Sequence, residues 1–282
     1  MGRDGRAGVP RGDGVNPGDA GMDAAALWET FAEHAALVMS GGRAPARASG
    51  NGWFAVLTGE AHPDLNECAL TSRAQAADAL ALVAFITAAD VPALVSVASS
   101  AGPEVTDPLA AAGFERAPTS EPLMWCPRRP RRKPGGLRVE QVRSQADRDR
   151  AIAIIADAHS MQHEIASRAL AALPDPGDRV MAWLAHEGDE AISVVWATPG
   201  ARIGIWEMMT PRRHRRKGGA RAVLTCALDA TWSPATEGAF LWSTPAGRPF
   251  YEAAGFTAVD EATSWTLGAE AEFLAAIGQP AA

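Results

Sequence analysis

From Ile203 to Ala222 the chain reads IGIWEMMTPRRHRRKGGARA. An apolar run passes through Thr210 and Pro211 into six basic or imidazole side chains, Arg212 to Lys217, and then into Gly218 and Gly219. Ile203, Ile205, Met208 and Met209 predict a buried strand, while Val223, Leu224, Ala227 and Leu228 recur on one face of a predicted helix. A basic, glycine-containing loop between a strand end and a helix start is an anion site. Glycine lets the backbone approach a ligand, the first free N–H groups of the helix point into the loop, and the helix dipole adds partial positive charge. A pyrophosphate suits such a loop; a solvated basic turn is the alternative. The Walker pattern GxxxxGK[ST] and the dinucleotide pattern GxGxxG are both absent here, and what stands in their place is RxxGxA, as Arg215, Gly218 and Ala220.

Further on, Phe250, Tyr251, Gly255 and Phe256 form FYxxxGF, a short predicted helix that exposes the tyrosine and ends at a glycine before the next strand. With one strand, Gly238 to Ser243, between them, RxxGxA and FYxxxGF resemble motifs A and B of the GCN5-related N-acetyltransferases (GNATs). The resemblance covers about Leu137 to Gly268. Two departures stand out: Arg212 occupies a place where the family usually has proline, and Ser243 or Thr244 one where relatives often have asparagine.

The resemblance implies transfer of an acetyl group from acetyl-CoA to a small-molecule or peptide amine by direct attack. Arg215, Arg216, Lys217, Gly218, Gly219 and Ala220 would then hold the pyrophosphate, and the backbone of Met208, Met209 and Thr210 would flank the pantetheine arm. Tyr251, the only tyrosine of the chain, falls at the family's general acid; a phenol with an ordinary pKa of about 10 can protonate a thiolate without ionising first. Glu207 is the candidate base. In an unbulged strand it shares a face with Ile203, Ile205 and Met209, where desolvation would raise its pKa; a structural carboxylate paired with the basic loop is the alternative. A catalytically decayed acyl-CoA-binding or regulatory module is the competing function, and retention of Tyr251 argues against it.

These residues need a scaffold, and 282 residues suffice for two ordinary domains. Hydrophobic residues make up 47% and charged ones 21%, a globular composition, and the formal charge of −7 disfavours nucleic-acid binding by the surface as a whole. The sequence holds no apolar run of the roughly 20 residues that a membrane helix needs, and the N-terminus lacks the apolar core of a signal peptide. A cytoplasmic protein, monomer or homodimer, follows, with Cys68, Cys126 and Cys226 reduced. Helical or strand periodicity recurs from Met22 to Trp125, including a hairpin of Trp53 to Leu57 with Asn66 to Leu70. PRRPRRKPGG, Pro127 to Gly136, then reads as a linker; a nucleic-acid patch over Arg128 to Lys133 is the alternative, weakened by the absence of interleaved aromatics. His34 reads as a satisfied surface or core histidine. His159 and His163 stand one helical turn apart and precede Glu164, but HExxH is not matched and no metal site is expected.

DPLAAAGFERAPTSEPLMW from Asp107 parallels RPFYEAAGFTAVDEATSWTL from Arg248, with Leu109 near the place of Tyr251 and no RxxGxA loop before it. The expectation is an α/β (α+β) chain of two GNAT-like domains, each a central mixed, mostly antiparallel twisted sheet flanked by helices. Residues 1–21 would be a disordered tail, 22–126 a degenerate GNAT-like domain, 127–136 the basic Pro/Gly linker, and 137–282 the acetyltransferase domain carrying every cofactor contact.

Overall fold

A computed structural model describes residues 21–130 and 136–268. The tail at 1–20 and the part of the basic run at 131–135 lie outside the described residues. The first half runs α1 (Ala24–Val38), β1 (Ala46–Ser49), β2 (Trp53–Leu57), β3 (Asn66–Leu70), α2 (Ala76–Ala89), β4 (Ala93–Val97), α3 (Pro103–Ala111) and β5 (Glu115–Cys126). The second runs β6 (Arg138–Gln141), α4 (Gln145–Ala158), α5 (His163–Ala169), β7 (Met181–Glu187), β8 (Glu190–Thr198), β9 (Arg202–Met209), α6 (Gly219–Thr231), β10 (Gly238–Trp242), α7 (Arg248–Ala254) and β11 (Thr257–Leu267).

All the strands belong to one sheet, in the order β1-β2-β3-β4-β11-β5-β10-β9-β8-β7-β6. It is mixed and mostly antiparallel: only β3 with β4 and β9 with β10 run parallel. Those two pairs occupy corresponding places in the two halves, and each is followed by a helix, a glycine corner and a long strand. The corners match in detail. Phe114 N donates to Leu109 O and Phe256 N to Tyr251 O, both at 3.0 Å, so Leu109 and Tyr251 are structural counterparts, as the internal repeat implies.

The two long last strands are exchanged. β11 of the second half pairs with β4 of the first, and β5 of the first pairs with β10 of the second; β5 and β11 pair antiparallel with each other, Ser120 opposite Thr263. The chain therefore crosses at 127–136 from half to half, but the sheet does not divide there.

Layers follow from side-chain parity along the strands. On one face a single core spans both halves, with Leu27, Trp28 and Phe31 of α1, Ile152 and Ile155 of α4 and Ala166 of α5 over Phe54, Leu123, Trp206 and Phe240. The other face carries two separate cores, α2 and α3 over the first half and α6 and α7 over the second. Polar ties fix the seam. Trp28 Nε1 and Ser99 Oγ each donate to the buried Asp260 carboxylate at 2.9 Å, and Arg168 of α5 forks onto Glu60 at 2.9 and 2.8 Å. Among the described residues no helix is long and apolar enough to cross a membrane, and the three cysteines are free thiols.

Candidate active site

The parallel pairing of β9 with β10 covers only Arg202 to Gly204 against Gly238 to Phe240. Beyond it the two strands run on to Met209 and Trp242 without pairing with each other. Packing explains the parting. Trp206 folds back so that its indole lies over Gly204, where an added Cβ would sit 2.4 Å from Nε1 and 2.5 Å from Thr198 Oγ1. The indole donates to Thr198 Oγ1 at 2.9 Å and meets Phe240 edge to face, 6.0 Å between centroids. His34 is 2.6 Å from the same hydroxyl, and burial lowers its pKa to about 4, so it is neutral there.

On its other side β9 carries a bulge: from Trp206 to Met209 it spends three steps against two from Val194 to Trp196. Glu207 takes φ +44 at this point, a left-handed conformation that costs a non-glycine residue about 1–2 kcal/mol. The bulge inverts side-chain parity. Ile203 and Ile205 face α6, Trp206 faces α1, and then Met208 faces α6 and Met209 the α1 side. The expected common face for Glu207, Ile203, Ile205 and Met209 is thus overturned. Glu207 turns toward the end of α4, where its Oε2 lies 3.5 Å from His159 Nε2.

The basic loop forms as the sequence predicts. A 3₁₀ turn over Arg212–His214 leads to Arg215, Arg216 at φ +66, Lys217, and Gly218 at φ +88 as the residue before α6. No side chain caps the helix, so its first N–H groups are open to a ligand. Arg215, Arg216, Lys217 and Gly218 are exposed and Gly219 is buried. Arg215 Nε reaches back to Thr210 O at 3.3 Å, and Ser193 Oγ donates to Met209 O at 2.9 Å and lies 2.8 Å from Thr210 Oγ1, fixing the end of β9 beside the loop. Met208, Met209 and Thr210 are only half-buried where they border the parting of β9 from β10.

Tyr251 sits on α7 and, against the expectation that this helix exposes it, is buried at 7% exposure, its ring 5.3 Å from Phe250 and 5.9 Å from Phe256, in the core shared with Met208. Burial pushes its phenol pKa well up, so the proton is held at neutral pH. Tyr251 and Glu207 therefore lie on opposite sides of β9.

His159 and His163 do not share a helix. α4 ends at Ala158, Ser160 takes φ +54, and His163 opens α5. His159 instead bridges the halves: Nδ1 lies 2.7 Å from Asp64 Oδ2 and Nε2 faces Glu207. Burial alone would lower its pKa, but the Asp64 and Glu207 carboxylates overcome this and raise it to about 10, so it is an imidazolium. Asp64, Glu67, Glu121 and Ser193 carry no local signal in the sequence that links them to the site. In the sequence His159 stands out only for its spacing to His163 and Glu164, a metal pattern not expected to form a site.

No family model and no curated protein sequence matches this chain. Solved structures do. A GCN5-related N-acetyltransferase from Kribbella flavida superposes with a TM-score of 0.64 at 17% identity, over 89% of this chain and 98% of its own. One from Sphaerobacter thermophilus gives 0.52 at 12% identity, over 77% and 76%. A tandem GNAT protein from the clavulanic acid biosynthesis pathway, solved without AcCoA, gives 0.50 at 13% identity, over 88% and 96%. Parted parallel strands, an uncapped basic helix start and whole-length likeness to these structures together mean that this chain has the GCN5-related N-acetyltransferase fold.

Proposed function

We propose that the protein is an acetyl-CoA-dependent N-acetyltransferase, its second half holding the cofactor and its first half a degenerate copy. The observation that carries this reading is the gap between β9 and β10 opening directly beside the uncapped loop of Arg215, Arg216, Lys217, Gly218, Gly219 and Ala220. Such a loop satisfies a pyrophosphate with backbone N–H groups and positive charge. The gap leaves the β10-facing backbone edge of Met208 to Thr210 for a pantetheine amide chain. The counterpart helix start in the first half is closed to an anion: the Asp78 carboxylate of α2 accepts from Gln75 N at 2.9 Å and occupies that place itself.

When bound, acetyl-CoA supplies the thioester. Tyr251 holds its proton at neutral pH and would give it to the departing sulfur. Glu207, facing His159 across 3.5 Å, would orient the incoming amine and accept its proton. The Trp206–Phe240 pair would give the gap an apolar wall on its α1 side.

Titration calorimetry with acetyl-CoA, followed by free-thiol release with a panel of amines, tests the reading. Micromolar binding with amine-dependent thiol release is expected. Absence of binding would overturn the assignment, and binding without turnover on any amine would leave a binding module in its place.

A further inference from the structure

Four carboxylates converge on one side of the seam between the halves. Asp64 and Glu207 flank His159. Glu67 of β3 and Glu121 of β5 lie behind them. Glu67 is 9% exposed and Glu121 7%, and Glu121 Oε2 accepts from Ser264 Oγ at 2.7 Å. Glu67 Oε2 is buried with no hydrogen-bond partner. Burial first, then the carboxylates of Glu207, Asp64 and Glu121, push the Glu67 pKa well above the usual range.

Burying a carboxylate oxygen with nothing to receive costs several kcal/mol. The imidazolium of His159 answers Asp64 and Glu207; no described side chain answers Glu67 Oε2. The described residues include no group of three ligands suited to a metal ion. An organic ammonium differs from a metal: it needs no fixed coordination shell and satisfies dispersed carboxylates through three rotatable donors.

We infer that this cluster selects an acceptor carrying at least two cationic nitrogens, one presented at Glu207 for acetylation and a second held by Glu67 and Glu121 from the other half of the chain. The inference rests on the N-acetyltransferase reading and adds the substrate class, with the first half as its reader. Glu67 and Glu121 are positioning residues. They bind the distant ammonium and stay clear of the reacting nitrogen.

The test uses the full chain without acetyl-CoA and two probes, 1,4-diaminobutane and butylamine, titrated calorimetrically in buffers of different ionisation enthalpy. The diamine should bind at least tenfold tighter than the monoamine, and its apparent enthalpy should vary with buffer because an ammonium beside Glu67 drives off the Glu67 proton. Glu67→Gln should reduce the buffer dependence, leaving only the part due to Glu121, and cost the diamine at least tenfold, with butylamine and acetyl-CoA affinities unchanged. Glu121→Gln, which keeps its bond to Ser264, should weaken the diamine in the same direction. Equal affinities for the two probes, no binding of either, or diamine binding unaffected by both variants would overturn the inference. Its fate is separable from that of the parent reading. Acetyl-CoA binding with no diamine preference refutes the acceptor class alone, whereas diamine preference without acetyl-CoA binding refutes acetyl transfer.

Discussion

Gly218 separates backbone geometry from charge in the anion loop. Its φ of +88 is left-handed, yet nothing lies within 4 Å of the place an added Cβ would take. Gly218→Ala therefore meets no clash and bears only the conformational cost of the left-handed region, about 1–2 kcal/mol. For a chain of this size that lowers the melting temperature by about 2–8 °C and acetyl-CoA affinity by about thirtyfold at most. Gly218→Asp bears no larger backbone cost, since aspartate tolerates this region better than alanine, but it adds a fixed negative charge to the loop. At about 5 Å from a phosphate and an effective dielectric of about 20–40, each phosphate charge is repelled by about 2–3 kcal/mol, a further 30- to 150-fold. The two variants should thus melt alike and bind very differently, and the gap should narrow as salt is raised. Melting curves and acetyl-CoA titrations at low and high ionic strength measure this. If Gly218→Asp binds acetyl-CoA as well as Gly218→Ala does, the loop is not the anion site and the reasoning fails.

Tyr251→Phe keeps the ring packed between Phe250 and Phe256, so acetyl-CoA affinity should persist while turnover falls by about 10²- to 10⁴-fold; full turnover would make the phenol structural. Glu121 has its pKa raised by burial from the ordinary 4.5 to about 7. The unfolded chain loses this proton near 4.5 while the folded one retains it, so the group's contribution to stability falls as pH rises from 4.5 to 7. Denaturant titrations of Glu121→Gln should show that decline flattened, and an unchanged pH slope would refute the burial argument. Asp260 accepts from Trp28 Nε1, Ser99 N and Ser99 Oγ at 2.9 to 3.1 Å. Asp260→Ala strands these donors at the seam and should cost about 3–5 kcal/mol in chemical denaturation; a loss below 1 kcal/mol would show that the tie contributes little.

The elements that carry local periodicity were legible. The β2–β3 hairpin was readable to the residue, and the repeat signalled by the two AAGF corners correctly paired Leu109 with Tyr251. The bulge was not readable, because apolar residues stand at both parities from Ile203 to Met209 and parity alone cannot say where an extra residue enters. What fixes it is the count on the opposite strand, Val194 to Trp196, which is long-range information. Glu207 was accordingly singled out with the wrong surroundings, an apolar face in place of an imidazolium. The carboxylate cluster was hidden for a related reason: Asp64, Glu67 and Glu121 are dispersed over the first half and meet Glu207 only once the sheet is assembled. β1 and α5 were missed too, being four and seven residues long with little periodicity to show.

The strand exchange also escapes sequence reading, because β5 and β11 are copies of one pattern and either could complete either half. Its consequence runs against a simple division into scaffold and catalyst. A chain beginning at Leu137 would keep the anion loop, the bulge and Tyr251, yet lose β5, which pairs Cys126 to Leu123 with Ala239 to Trp242 of β10 and runs along β11 from Thr257 to Thr266. Both neighbours would then present open edges, and β10 is the strand whose parting from β9 makes the gap beside the basic loop. The first half lacks an anion loop of its own but supplies the strand that holds one wall of the gap in place. By the acceptor inference it also supplies Asp64, Glu67 and Glu121, so the first half is tied to the site by backbone pairing on one side and by charge on the other.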